Sequence, residues 1–176
     1  MHAEIYPLYS LVSSVGEEKV RKTLDCFTCE RDDDVALFLK EFAIERELSH
    51  DVRTYAVVDK DDSDLSIVAF FAIGITIVEE KGHDGELPAK EHTPVFLLSQ
   101  IARDDRYGHD DLDGTELLDK AEELIRKASD LVGGRAIFLD CKKALLPYYQ
   151  HRGYSFVMYD KGADLYRLAK PIYRNN

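Results

Sequence analysis

The residues best placed to do chemistry lie in 94–118, PVFLLSQIARDDRYGHDDLDGTELL. An apolar strand runs into a short polar loop, and the loop opens a helix. The first N–H groups of such a helix have no intrahelical acceptor, and the dipole adds positive potential, so the junction is suited to an anion. Arg103, Arg106 and His109 add positive charge to it, and Asp110, Asp111 and Asp113 subtract. Two like charges at ~4 Å repel by about 1 kcal/mol in water and about 4 kcal/mol at an effective dielectric of 20. The same acids also stabilise the start of a helix whatever the loop does. Both readings stand at this point: an anion site weakened by acids, or a well-capped helix.

Other reactive types are scattered. Glu79, Glu80, Glu91 and His92 bracket a polar loop just before the apolar strand, and any of them could accept a proton as a general base. Cys26 and Cys29 form a C-x-x-C, but no second pair supplies four zinc ligands and no βαβ unit surrounds them as in a redox dithiol. They read as small thiols beside a helix. The acidic runs ERDDD and DKDDSD read as solvated faces and turns, with no Asp-x-Asp-x-Asp-Gly loop closed by Glu. No metal site is assigned.

The elements that must position these residues are set by periodicity. A first strand fits 4–12, and 16–24 has helical composition. An amphipathic helix is expected over about 32–48, with Val35, Leu37, Phe38, Phe42 and Ile44 on its apolar side and Asp residues in its first turn. Strands come next at 54–59 and 65–78, the second apolar throughout, which suggests burial on both faces. After the polar loop 79–92 comes the strand 94–102. The strongest helix spans about 114–132, where Leu117, Ala121, Leu124, Ala128 and Leu131 recur at helical spacing. Asp113 with Glu116 resembles a capping box, and Gly133 with Gly134 ends the helix. A strand at 135–141, a short helix at 143–151 and two last strands complete the chain. The stretch 94–141 is a βαβ crossover and implies a parallel strand pair. The fold class is therefore α/β, a single-domain mixed sheet with flanking helices, over 1–176.

Composition bounds the partners. The 176 residues carry a net charge of −11, which repels phosphate backbones and acidic membranes and makes nucleic acid an unexpected partner. No apolar run reaches the roughly 20 residues that span a bilayer, and the first residues have no signal-peptide pattern. Three cysteines make no disulfide framework. A cytoplasmic protein, monomer or homodimer, is expected.

Three stretches together resemble the GCN5-related N-acetyltransferases. IARDDRY with GTELLDKAEELIRKA is similar to the family's strand end, Asp-x-x-Arg/Gln-x-x-Gly-x-Gly/Ala loop and adjoining helix. ALLPYYQHRGYSF (144–156) is similar to its Ala-x-x-Phe-Tyr-x-x-x-Gly-Phe motif, and CFTCERDDDVALFLKEFA (26–43) to a Cys-containing stretch in one bacterial branch. The resemblance implies the acyl-CoA N-acyltransferase fold, acetyl-CoA as co-substrate and a primary amine of a small molecule or protein as acceptor. It implies that Tyr149 protonates the departing thiolate, as a neutral phenol can. It implies cofactor contacts from the backbone of Ile101, Ala102 and Arg103, and from the frame His109, Asp110, Asp111, Leu112, Asp113, Gly114 and Thr115. The frame departs from the family at its first position, His109, and at Leu112, where the family has a glycine that lets backbone approach a pyrophosphate. Two alternatives accompany this reading: a binding or regulatory module of the same fold with weak or no catalysis, and a toxin-like acetyltransferase acting on aminoacyl-tRNA, since the Cys-containing branch includes such proteins.

Overall fold

Apolar periodicity and helix punctuation decide where the elements form. The computed structural model describes residues 3–62, 65–78 and 93–172. Strand β1 is Ala3–Pro7, succeeded by helices α1 (Leu8–Val15) and α2 (Glu17–Asp25). Gly16, at φ +87°, separates the two helices and needs its freedom there. Next come α3 (Asp33–Leu37), a π-helical turn (Phe38–Phe42) and α4 (Ala43–Leu48), then strands β2 (Val52–Asp59), β3 (Ile67–Val78) and β4 (Thr93–Arg103). Helix α5 is Gly114–Val132 and β5 is Ala136–Cys141. A 3-10 turn (Lys143–Leu145), α6 (Leu146–His151), β6 (Ser155–Asp160) and β7 (Leu165–Pro171) close the order. The strands form a seven-stranded mixed sheet in the order β1-β2-β3-β4-β5-β7-β6. The expected parallel pair is present: Phe96 lies opposite Ile137, and Leu97 opposite Phe138. That short ladder ends at Leu97, while β4 continues to Arg103 and β5 pairs along its whole length with β7.

Two expectations are corrected. The segment 4–12 is a strand only to Pro7, and Leu8–Val15 is helical, with Leu8 fully buried. The helix expected over 32–48 does not present one regular face. Its π-helical turn carries more residues than an α-turn and rotates α4 relative to α3, so Leu37 and Phe42 are exposed while Leu39, Ala43 and Ile44 are buried. In β3, burial is continuous from Ile67 to Ala72, but Ile75 and Ile77 are exposed.

The chain parts into two units, Met1–Gly74 with Gln100–Ala121, and Ile75–Ser99 with Glu122–Asn176. The core of the first gathers Leu8, Leu24, Phe27, Leu39, Ile67 and Phe70, with the Phe27 ring edge-on to Phe70 at 5.3 Å. Phe38 stacks on the same Phe70 ring. The second packs Val95, Ala136, Phe138 and Ala169. It also contains a buried charge cluster. Glu122, 2% exposed, accepts hydrogen bonds from Lys170 Nζ (2.7 and 2.8 Å) and from the Tyr154 hydroxyl (3.1 Å). Paired and hydrogen-bonded in this way, the carboxylate is tolerated in a site where an isolated one would not be.

The α5–β5 connection tests this packing. Gly134 sits at φ +120°, and a Cβ there would lie 2.5 Å from the buried Phe96 ring, whereas a Cβ on Gly133 (φ +83°) meets open space. Gly133→Ala should cost about 1 kcal/mol of stability, from backbone strain alone. Gly134→Ala should cost about 2–4 kcal/mol, since the ring must also move. Urea unfolding of the two variants measures the difference.

Candidate active site

Helix α5 begins where it does because Asp113 caps it. The Asp113 carboxylate accepts the Thr115 N–H (2.9 Å), and its carbonyl accepts the Leu117 N–H (3.1 Å). The N–H groups of Gly114 and Glu116 find no acceptor among the described residues. They are what the first turn still offers to an anion.

The loop ahead of the helix is held by its own side chains. Asp104 is fully buried and accepts from Arg106 through Nε (2.9 Å), Nη2 (2.8 Å) and the backbone N–H (2.9 Å). Asp104 also accepts the Thr28 N–H (3.3 Å), and its own N–H donates to the Val68 carbonyl in β3 (2.8 Å). Asp105 adds a second tie, accepting the Glu30 N–H at 2.7 Å. The bidentate, charge-assisted pair with Asp104 holds the Arg106 proton more firmly than in an ordinary guanidinium. Further along, the Gly108 N–H donates to the Asp111 carboxylate (2.7 Å), and the Leu112 N–H to the Gly108 carbonyl (3.4 Å). Arg103 Nη1 donates to the Leu112 carbonyl (2.5 Å). His109 Nε2 lies 3.5 Å from Asp113, and both are well exposed.

Ile101, Ala102 and Arg103 at the end of β4, and His109 to Thr115 after it, thus fall in one unit and one continuous segment. Leu112 is only 3% exposed and anchors the loop in the core. No residue from 104 to 115 has a positive φ, so leucine occupies this frame without backbone strain. Of the positive groups that the sequence offers against the acids, Arg103 and Arg106 are engaged in holding the loop's shape. Asp110 is exposed and makes no hydrogen bond among the described residues. Glu79, Glu80, Glu91 and His92 lie outside the described residues.

Tyr149 falls in the second unit. It belongs to α6, which starts with Pro147 in its first turn, and Arg152 and Tyr154 donate backbone hydrogen bonds to its carbonyl (3.0 and 3.1 Å). Its ring is 6% exposed and sits edge-on to Tyr148 (5.0 Å) and Tyr154 (5.7 Å). The hydroxyl makes no hydrogen bond among the described residues and is not sealed from solvent. Burial, then the neighbouring Tyr148 and Cys141, push its pKa far above the usual phenol range. Burial also pushes the Cys141 thiol up, to about 11. Cys26, Cys29 and Cys141 are all free thiols, and no group of three metal-ligating side chains occurs among the described residues.

The buried phenols set an alkaline limit. Tyr149 and Tyr154 both hold their protons more tightly folded than unfolded. Their contribution to stability is complete below the unfolded pKa of about 10 and is lost as pH rises above it, because the unfolded state then binds fewer protons. Each phenol should steepen the loss by up to about 1.4 kcal/mol per pH unit. Urea unfolding at pH 9 to 11 should show a shallower alkaline slope for Tyr149→Phe than for the parent.

No protein-family model and no curated protein matches the sequence. Solved structures do. A bacterial toxin aligns with a TM-score of 0.81 at 14% identity, over 97% of this chain and 91% of its own. A Tyr-to-Phe variant of KacT aligns at 0.75 and 17% identity, over 98% and 96%. AtaT complexed with acetyl-methionyl-tRNAfMet aligns at 0.75 and 17% identity, over 97% and 95%. AtaT has also been solved with acetyl-CoA and the C-terminus of the antitoxin AtaR. Among the described residues no helix is long and apolar enough to cross a membrane. A mixed seven-stranded sheet with a parallel β4–β5 pair, a helix crossing over between them and an end-to-end likeness to these toxins give the chain the fold of the GCN5-related N-acetyltransferases.

Proposed function

We propose that the protein is an N-acetyltransferase that moves the acetyl group of acetyl-CoA to a primary amine, and that the amine is the α-amino group of an aminoacyl-tRNA. The acceptor is suggested by the likeness to AtaT, which has been solved with acetyl-CoA and with acetyl-methionyl-tRNAfMet. The net charge of −11, which makes nucleic acid an unexpected partner, is an average over the surface and does not describe any one face.

The observation that carries the chemistry is Tyr149. In the reaction the amine nitrogen forms a bond to the thioester carbonyl carbon, the C–S bond breaks, and the departing thiolate takes a proton while the amine gives one up. Tyr149 offers a hydroxyl with no competing partner among the described residues, and burial keeps it protonated throughout the neutral range. A raised pKa makes it a weaker acid. A thiolate in the same surroundings becomes a stronger base, as the upward push on the neighbouring Cys141 indicates, so the proton transfer stays matched. The backbone of Ile101 and Arg103 is available for the pantetheine arm, and the N–H groups of Gly114 and Glu116 for the pyrophosphate.

A second reading, a module of this fold with weak or no catalysis, is favoured by the acids of the loop. Asp113 and Asp111 already occupy the N–H groups of Thr115 and Gly108, donors that a phosphate would otherwise use.

Two measurements separate these readings. Tyr149→Phe should lower turnover by about 100-fold or more, the low end of general-acid contributions, and leave the acetyl-CoA Kd within about twofold. Unchanged turnover removes Tyr149 from the mechanism. Asp110→Lys changes the field by two charges without breaking any loop bond, and should tighten acetyl-CoA by roughly tenfold at low salt, with the gain shrinking at high salt. Calorimetry at two salt concentrations decides it. Absence of acetyl-CoA binding in both proteins favours the non-catalytic module.

A further inference from the structure

In the first unit, helix α2 presents Lys19, Lys22, Thr23 and Cys26 at helical spacing, so the four share one face. With Ser66, just ahead of β3, and Arg106, just after β4, they line a pocket of about 350 Å³. That volume is within the range of small-ligand sites. Its lining holds three cations, two hydroxyls and a thiol, and no carboxylate, in a chain whose net charge is −11. Such a concentration of one sign runs against the average surface.

The cations differ in how they are held. Arg106 is fixed by Asp104 through Nε and Nη2, which leaves Nη1 to point elsewhere and places one compensating charge behind it. Lys22 pairs with Glu18, but both side chains are more than 70% exposed, so that pair is worth little and exchanges readily for a better anion. Lys19 has no acidic partner among the described residues. The C-terminal end of α2 opposes an anion with about half a negative charge, which the unpaired Lys19 outweighs, and Lys22 adds to it when it exchanges Glu18 for the ligand. The two hydroxyls already donate, Thr23 Oγ1 to the Lys19 carbonyl (3.1 Å) and Ser66 Oγ to the Asp62 carboxylate, so the donors left for a ligand are one rigid guanidinium and two mobile ammonium groups, cations of the kind that a phosphoryl group selects.

We propose that this pocket, lined by Lys19, Lys22, Thr23, Cys26, Ser66 and Arg106, is a binding site for a phosphoryl anion. It stands apart from the acyl-transfer proposal, because binding there requires neither Tyr149 nor acetyl transfer. The phosphoryl group comes from one of three sources: the 3′-phosphate of acetyl-CoA, a phosphate of an RNA acceptor, or a free phosphorylated small molecule.

Cys26 supplies a direct readout, since it lines the pocket and is exposed, while Cys29 serves as an internal reference. Iodoacetamide alkylation of the intact protein is monitored by peptide mass spectrometry with and without pyrophosphate. Pyrophosphate should slow Cys26 relative to Cys29 by about fivefold or more, and the double variant Lys19→Gln, Lys22→Gln should lose that protection. No protection at about 10 mM pyrophosphate overturns the proposal, and so does equal protection in parent and double variant. The same assay then names the source. Protection by acetyl-CoA but not by its 3′-dephospho form assigns the cofactor's phosphate. Protection by a 5′-phosphorylated RNA oligonucleotide assigns an acceptor phosphate. Protection by pyrophosphate alone assigns a free phosphorylated ligand. Failure of these arms leaves the Tyr149 kinetics untouched, so the two proposals fall separately.

Discussion

A single buried carboxylate organises the candidate cofactor loop. Asp104 receives the guanidinium and N–H of Arg106 and the N–H of Thr28, and its own N–H binds the Val68 carbonyl. One residue therefore ties the end of β4, the start of β3 and the segment after α2 together. Removing one partner of a buried charged pair costs about 3–5 kcal/mol, because the other is left uncompensated. The loop can be rich in acids because its own donors are already committed: Arg103 to Leu112, Arg106 to Asp104, Gly108 to Asp111.

This solution differs from a glycine-rich one. A glycine-rich loop leaves its N–H groups open and stays flexible until a phosphate orders it. Here Asp111 and Asp113 accept the N–H groups of Gly108 and Thr115, and Leu112 pins the loop to the core. The loop is preformed, and on the proposed function it would bind a phosphate with part of its donors already taken. The Tyr149 hydroxyl, to which the proposed function gives the proton transfer, is unengaged among the described residues.

How much of this the sequence carried depends on which force set each feature. Helix α5 was legible at both ends because a capping Asp113 and the pair Gly133–Gly134 are local signals. The strands from β2 to β7 were legible from apolar runs and turn residues. Helix α1 was read as strand because LYSLVSSV mixes serines with β-branched residues, and packing of Leu8 overrode that weak preference. The exposed Leu37 and Phe42 result from a π-turn, which breaks the 3.6-residue period on which the face was assigned. At the site, the resemblance picked out the loop and Tyr149, but no local rule tells that Arg106 folds back onto Asp104 or that Leu112 is buried. The cationic pocket was hidden for the same reason: two lysines on one helix are ordinary, and Arg106 joins them only through a contact some eighty residues away in sequence.

The position of β7 has a bearing on how the chain acquires its structure. It comes after β6 in sequence yet lies between β5 and β6 in the sheet, and it brings Lys170 to the buried Glu122. Before β7 has joined the sheet, Glu122 keeps only its longer ion pair to Arg126 (3.5 Å), and β5 shows an unpaired edge. A chain whose β7 has not yet docked therefore holds a weakly compensated buried charge and an open strand, two features that favour aggregation or recognition by chaperones.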